Sequence, residues 1–162
     1  MNIYLDFNMD KLIDLIAKNK IDSTFLTVVS GVLVYVIGRY IKNFIIEPKL
    51  NYNKLISEIE YSISLYSNLL HSPLIYGKDV DISIRNKYEQ ASDKLRDLGS
   101  KVAGFIAILP KNEKKKRDEL NEIKGYLIGL SNGLFAIKND NGETRKNNIE
   151  YIENIKTILQ IK

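Results

Sequence analysis

The chain has 162 residues, no cysteine, no tryptophan and a single histidine, with a net charge of +4. That excludes disulfides, thiolate metal sites and a His/Cys zinc set, and the length leaves room for one compact domain beside a membrane segment. The charge is uneven: residues 1–22 sum to −1 and residues 39–162 to +5, with none between Ser23 and Gly38.

Residues 1–21 read as an amphipathic segment. Leu5, Met9, Leu12, Ile13 and Ile16 recur at helical spacing, Asn8 can cap the helix, and Asp10 falls in its first turn. With an apolar run close behind, this helix is expected to lie in a membrane interface.

Residues 22–46 read as a transmembrane helix. Ser23–Gly38 is sixteen residues without a charge, and apolar residues continue through Ile41, Phe44, Ile45 and Ile46. A bilayer core about 30 Å thick needs roughly 20 helical residues. The run reaches that length when Arg39 and Lys42 bury their stems and send their charged heads to the lipid headgroups. A soluble core helix or a β-rich run fits less well, because the stretch is apolar all round and far longer than a typical strand of about 5–6 residues. A signal peptide is not indicated, since no basic n-region leads directly into the run and no A-x-A-like site follows.

Thr27, Ser30, Gly31 and Gly38 lie roughly along one side of this helix, which suits close packing against another span. The expected partners are therefore the lipid bilayer and a second copy of the chain. Arg39, Lys42, Lys49 and Lys54 follow the span, against Lys11, Lys18 and Lys20 before it. Basic residues prefer the cytoplasmic side, so the expectation is an inner-membrane protein with its N-terminus outside and its C-terminal domain in the cytoplasm.

Residues 47–162 read as a cytoplasmic bundle of about four helices, which makes the fold class all-α. Pro48 is expected to bend or break the helix leaving the membrane. Tyr52, Leu55, Ile56, Ile59, Ile63, Tyr66 and Leu70 then keep a helical period, with Lys54 and Glu58 paired on the outer side. Ser72-Pro73 and Gly77 mark a loop.

A helix from Asp81 to Leu109 carries Ile84, Tyr88, Ala91, Leu95, Leu98, Val102, Phe105 and Leu109 in a heptad-like seam, with Asp81 as cap. Gly99 and Gly104 inside it suggest a close helix crossing. Pro110 closes the element. Leu120, Ile123, Leu127, Leu130 and Leu134 predict a helix over Asn112–Phe135, and Asn139–Gly142 a turn. Ile149, Ile152, Ile155, Ile158 and Leu159 predict a last helix from Asn147 to Gln160, capped by Asn147 or Asn148.

The paired segments LRDLGSKVAGFIAILP, residues 95–110, and YLIGLSNGLF, residues 126–135, resemble a set of uncharacterised small bacterial single-pass membrane proteins. Their pattern is an LR-x-LAS-like helix ending in Ile-Pro and a later LIGLSN segment. This chain has Gly99 where the pattern has Ala, and Leu109 where it has Ile. The resemblance covers about half of the chain and implies one N-terminal span before a helical cytoplasmic domain. It implies no activity and no catalytic residue.

Motifs that carry chemistry are missing. There is no phosphate-binding glycine loop, no G-x-S-x-G and no H-E-x-x-H. His71 stands at a helix end, where a histidine ordinarily meets the last carbonyls. Glu58, Glu60, Asp118, Glu119 and Glu122 fall on charged helix surfaces.

Two features admit a ligand. Arg96 beside Ser131 and Asn132 would form a cleft for a small anion, unless Arg96 pairs with Asp93 or Asp97. Lys114, Lys115, Lys116 and Arg117, with Arg39 and Lys42, could contact anionic lipid. The run lacks interleaved aromatics, which argues against nucleic acid. No cofactor is expected.

The expectation is a membrane-anchored interaction or sensor module without enzymatic activity, able to take a protein partner or a small anionic ligand. The alternative, resting on size and layout alone, is an oligomeric membrane-perturbing effector of the antiviral-defence kind, controlled by ligand binding to its cytoplasmic domain.

Overall fold

The computed structural model describes residues 23–75, 80–137, 140 and 142–160. The amphipathic segment expected over residues 1–21 lies outside them. So do Gly77 and parts of the two expected loops. The described chain is all-α: one long N-proximal helical stretch is followed by a helical bundle. The chain divides into two units, Met1–Lys49 and Leu50–Lys162.

In the first unit, α1 spans Ser23–Ile41 and runs into a π-helical turn, Lys42–Ile46, and then into the start of α2, Glu47–Leu65, which belongs to the second unit from Leu50 onward. Of the bend or break expected at Pro48, the break does not occur: helical structure continues through it. Proline has no N–H to donate, and its ring collides with the carbonyl four residues back. The wider π turn removes the conflict just before Pro48: the Glu47 N–H reaches back five residues to the Lys42 carbonyl. The chain therefore absorbs the proline as a local change of winding.

In the second unit, α3 (Ser67–Leu70), α4 (Ile82–Ile108), α5 (Lys114–Asn132) and α6 (Glu143–Leu159) join α2 around one core. Leu55, Ile59 and Ile63 from α2 meet Leu95, Leu98 and Val102 from α4, Leu120, Ile123, Leu127 and Leu130 from α5, and Ile152 and Ile155 from α6. The heptad seam of α4 is buried from Tyr88 to Val102, while Ile84 is exposed and Phe105 only partly covered. Asp81 caps α4 by accepting the Ser83 N–H at 2.6 Å, as its position predicts. Leu109 leaves the helix in an extended conformation, which a following proline demands.

The partners α4 and α5 lie close at Gly99. A Cβ there would stand 3.3 Å from Ile128 Cγ1, so the expected close crossing occurs at this glycine. Gly104 has open space around it and no such role. Ser92 and Ser131 tie the same two helices together: each hydroxyl donates to the other's backbone carbonyl, at 3.1 and 3.0 Å.

Three further features depart from the sequence reading. Glu58 does not pair with Lys54; it accepts from Lys94 and Lys101 on α4, at 2.5 and 2.9 Å. A short parallel pairing joins β1 (Leu74–Ile75) to β2 (Phe135–Ala136), with Leu74 opposite Phe135. The last helix begins at Glu143, four residues early. Gly142 precedes it at a φ of 82°, and the Asp140 carboxylate accepts from the Thr144 N–H and hydroxyl. Asn148 is consequently no cap. It is buried inside the bundle, where its amide donates to the carbonyls of Leu70 and Gly133 at 2.9 and 2.7 Å.

Candidate functional site

The first candidate is the apolar helix. It is long and apolar enough to cross a membrane, and none of its most apolar window is buried within the structure. Its β-branched and aromatic residues stand outward: Val34 is 71% exposed. Gly31 and Gly38 have nothing within 4 Å of the space a side chain would fill, so this side of the helix is smooth. Ser30 satisfies its hydroxyl within the helix, donating to the Thr27 carbonyl at 2.9 Å. That is the arrangement a helix in hydrocarbon needs, because no water is there to accept the proton.

Toward the end of the apolar run the face turns polar. Arg39 donates to the Tyr35 hydroxyl at 3.1 Å, and Lys42 lies 3.8 Å from Glu47. Tyr35, Gly38, Arg39, Lys42, Asn43 and Glu47 line a shallow notch. The π turn lies within it, and its extra residue lets Asn43 share this side with Arg39 and Glu47.

The second candidate is the basic segment before and within α5. Its cations divide by role. Arg117 turns back onto the end of α4, donating to the carbonyls of Ile106 and Leu109 at 3.1 and 2.7 Å. A guanidinium there satisfies carbonyls that a helix C-terminus leaves open. Lys116 Nζ sits 4.4 Å above the Tyr52 ring centroid and 5.8 Å from that of Phe105, with Glu113 3.7 Å away. Burial, and then the Glu119 carboxylate, push the Tyr52 phenol above its usual value. Lys114 and Lys115 remain on the surface, Lys115 3.8 Å from Glu119.

Tertiary contacts thus divide the four cations that the sequence presents as one cluster, and Tyr52, far earlier in the chain, joins them. Nothing in local spacing links Tyr52 to Lys116, which is why sequence reasoning misses it.

The third candidate, the Arg96 cleft, closes on itself. Arg96 Nη2 donates to Asn132 Oδ1 at 3.0 Å on the exposed surface. Ser131 is fully buried and is occupied by Ser92. The two groups do not converge: Asn132 faces out with Arg96, and Ser131 faces the α4–α5 seam. His71 holds the Ser67 carbonyl with Nδ1 at 2.7 Å, the role expected for a histidine at a helix end. Among the described residues, no three His, Cys, Asp or Glu side chains are gathered so as to hold a metal ion.

No protein-family model matches the chain, and neither a curated protein nor a solved structure matches it. The functional reading therefore rests on the two surfaces just described.

Proposed function

We propose that this chain is a membrane-anchored helical module that works by interaction rather than by catalysis. Residues 22–46 span the inner membrane, the N-terminus lies outside and the bundle lies in the cytoplasm. One observation carries the reading: the helix from Ser23 exposes a continuous apolar surface, while the bundle buries its own core without it. In water, such a surface would be a large aggregation-prone patch; in lipid it is at home. The excess of Arg and Lys after the span supports the orientation.

The smooth side at Thr27, Ser30, Gly31 and Gly38 supports self-association, because helices in lipid approach through shape and weak hydrogen bonds. The bundle then serves as the part that meets a protein partner.

Alkaline carbonate treatment of membranes from expressing cells tests the anchoring. The protein is expected to stay with the membrane pellet. Release into the supernatant, or recovery as a soluble protein without detergent, would overturn the reading. Self-association is checked by the native mass in nanodiscs: Gly31→Ile should lower it, whereas Val32→Ile should not. Equal behaviour of the two variants reduces the span to a simple anchor.

A further inference from the structure

We infer that Lys111, Lys114 and Lys115 form a docking surface for the anionic headgroups of the membrane that holds the chain. The inference rests on the anchoring proposed above and adds a second contact between protein and lipid.

The first argument is the division of labour among the cations. Arg117 is committed to the carbonyls ending α4, and Lys116 to the Tyr52 ring and Glu113. These contacts fix the turn from Leu109 to Glu113 against Tyr52 and Phe105. Lys111 and Lys114 make no ion pair among the described residues. Lys115 is 92% exposed, with Glu119 at 3.8 Å. Glu113 and Glu119 each lie within 4 Å of a single lysine, and Asp118, one turn after Lys114, forms no ion pair with it. The remaining ammonium groups therefore have no counterion among the described residues.

Nor do the lysines serve the helix they begin. A positive charge in the first turn opposes the helix dipole, and Glu113 at the cap position makes no side-chain capping bond. Contacts within the fold account for Lys116 and, through Glu119, in part for Lys115, and give Lys111 and Lys114 no ion pair among the described residues.

Chain length supplies the location. Tyr52 follows Ile46 by six residues, and residues 47–52 all belong to α2. Six residues reach at most about 20 Å in any conformation, and the headgroup layer on each side of the hydrocarbon is about 5–8 Å thick. Tyr52 is thus close to the headgroups by chain length alone, and the turn it holds carries the three lysines. Their long stems reach the rest of the way. Nucleic acid fits less well: Lys116 already covers Tyr52 and approaches Phe105, so no open ring is offered to a base.

The test uses the full chain in nanodiscs of phosphatidylcholine alone, or of phosphatidylcholine with an equal part of phosphatidylserine. A brief pulse of an amine-reactive acylating reagent is read residue by residue by mass spectrometry. Lys111, Lys114 and Lys115 should be labelled at least about fivefold more slowly in the anionic discs, since each basic residue gains about that factor at such a surface. Lys87 and Lys146, exposed elsewhere on the bundle, should label alike in both. High salt should remove the protection.

Equal labelling in the two discs would overturn the docking surface and leave the anchor standing. Failure to enter discs at all would overturn the anchor, and with it this inference. Protection by a short single-stranded RNA in neutral discs, with none from anionic lipid, would reassign the surface and also overturn it. The variant carrying Lys111→Gln, Lys114→Gln and Lys115→Gln should enter discs normally. In the anionic discs its Lys116 should label as it does in neutral ones.

Discussion

Ile37 and Ile59 are the same residue type on one helical stretch, and they meet opposite fates. Ile37 is 55% exposed and Ile59 fully buried. Val34 and Val102 repeat the contrast. The difference lies in what surrounds each apolar residue along the chain. Ile59 belongs to a stripe one helix-face wide, backed by Glu58, Glu60 and other polar residues that keep the opposite side in water. Ile37 belongs to a run that is apolar over most of its circumference, which no single neighbouring helix can cover. The bundle solves its burial problem internally, whereas the apolar window of the helix from Ser23 is left uncovered by the described residues.

The sharpest way to break this comparison is to place the same charge in both regions. Leu98 has no exposure. Leu98→Asp should unfold the bundle, since an unpaired buried carboxylate costs several kcal/mol. Val34→Asp should leave the bundle's protease resistance intact and instead weaken membrane retention, by about 3 kcal/mol of insertion free energy at the centre of a span. Limited proteolysis and carbonate extraction of both variants read the two effects separately. A shared phenotype would show that the two regions are not independent.

A smaller effect is expected at the glycines. Gly133 has an ordinary φ of −72°, so space and not conformation requires it. An added Cβ would overlap the Asn148 side-chain oxygen. Gly133→Ala should displace that buried amide from the carbonyls of Leu70 and residue 133, costing about 2–3 kcal/mol. Gly104→Ala, with open space around it, should be neutral or stabilise by up to about 1 kcal/mol. Thermal unfolding of the full chain in detergent distinguishes them.

The smallest effect concerns the surface network of Glu58. Hydrogen bonds from Lys94 and then Lys101 hold its carboxyl below the ordinary value of 4.5. A depressed carboxylate contributes stability above its unfolded pKa, and that contribution is lost as pH falls through the folded value. Its side chain and those of both lysines are about a third or more exposed, so Glu58→Gln should cost no more than about 1 kcal/mol at neutral pH. The gap between wild type and variant should close as pH drops below the ordinary glutamate range. Denaturant titrations at neutral and acidic pH check the sign.

Much of the architecture is legible in the chain itself. The uncharged run from Ser23, the Asp81 cap, the seam through Leu95 and Leu98 and the stop at Pro110 are local signals, and local signals set helices. The periodicity at Leu120, Ile123 and Leu127 likewise predicts which face of α5 turns inward. What sequence could not decide was every relation between residues far apart. Pro48 reads as a bend or a break because the sequence does not show that one π turn absorbs a missing N–H. Asn148 reads as a cap because asparagine favours that position, yet the carbonyls of Leu70 and Gly133 hold it in the core. Glu58 faces outward on its own helix until α4 brings two lysines to it. The β1–β2 pairing is invisible in the sequence, since two residues show no alternation. The basic segment is one feature until folding sets Lys116 over Tyr52 and Arg117 under α4, leaving Lys111, Lys114 and Lys115 at the surface. Helix positions follow from spacing along the chain, whereas a polar side chain's partner depends on which distant surface packing brings within about 3 Å.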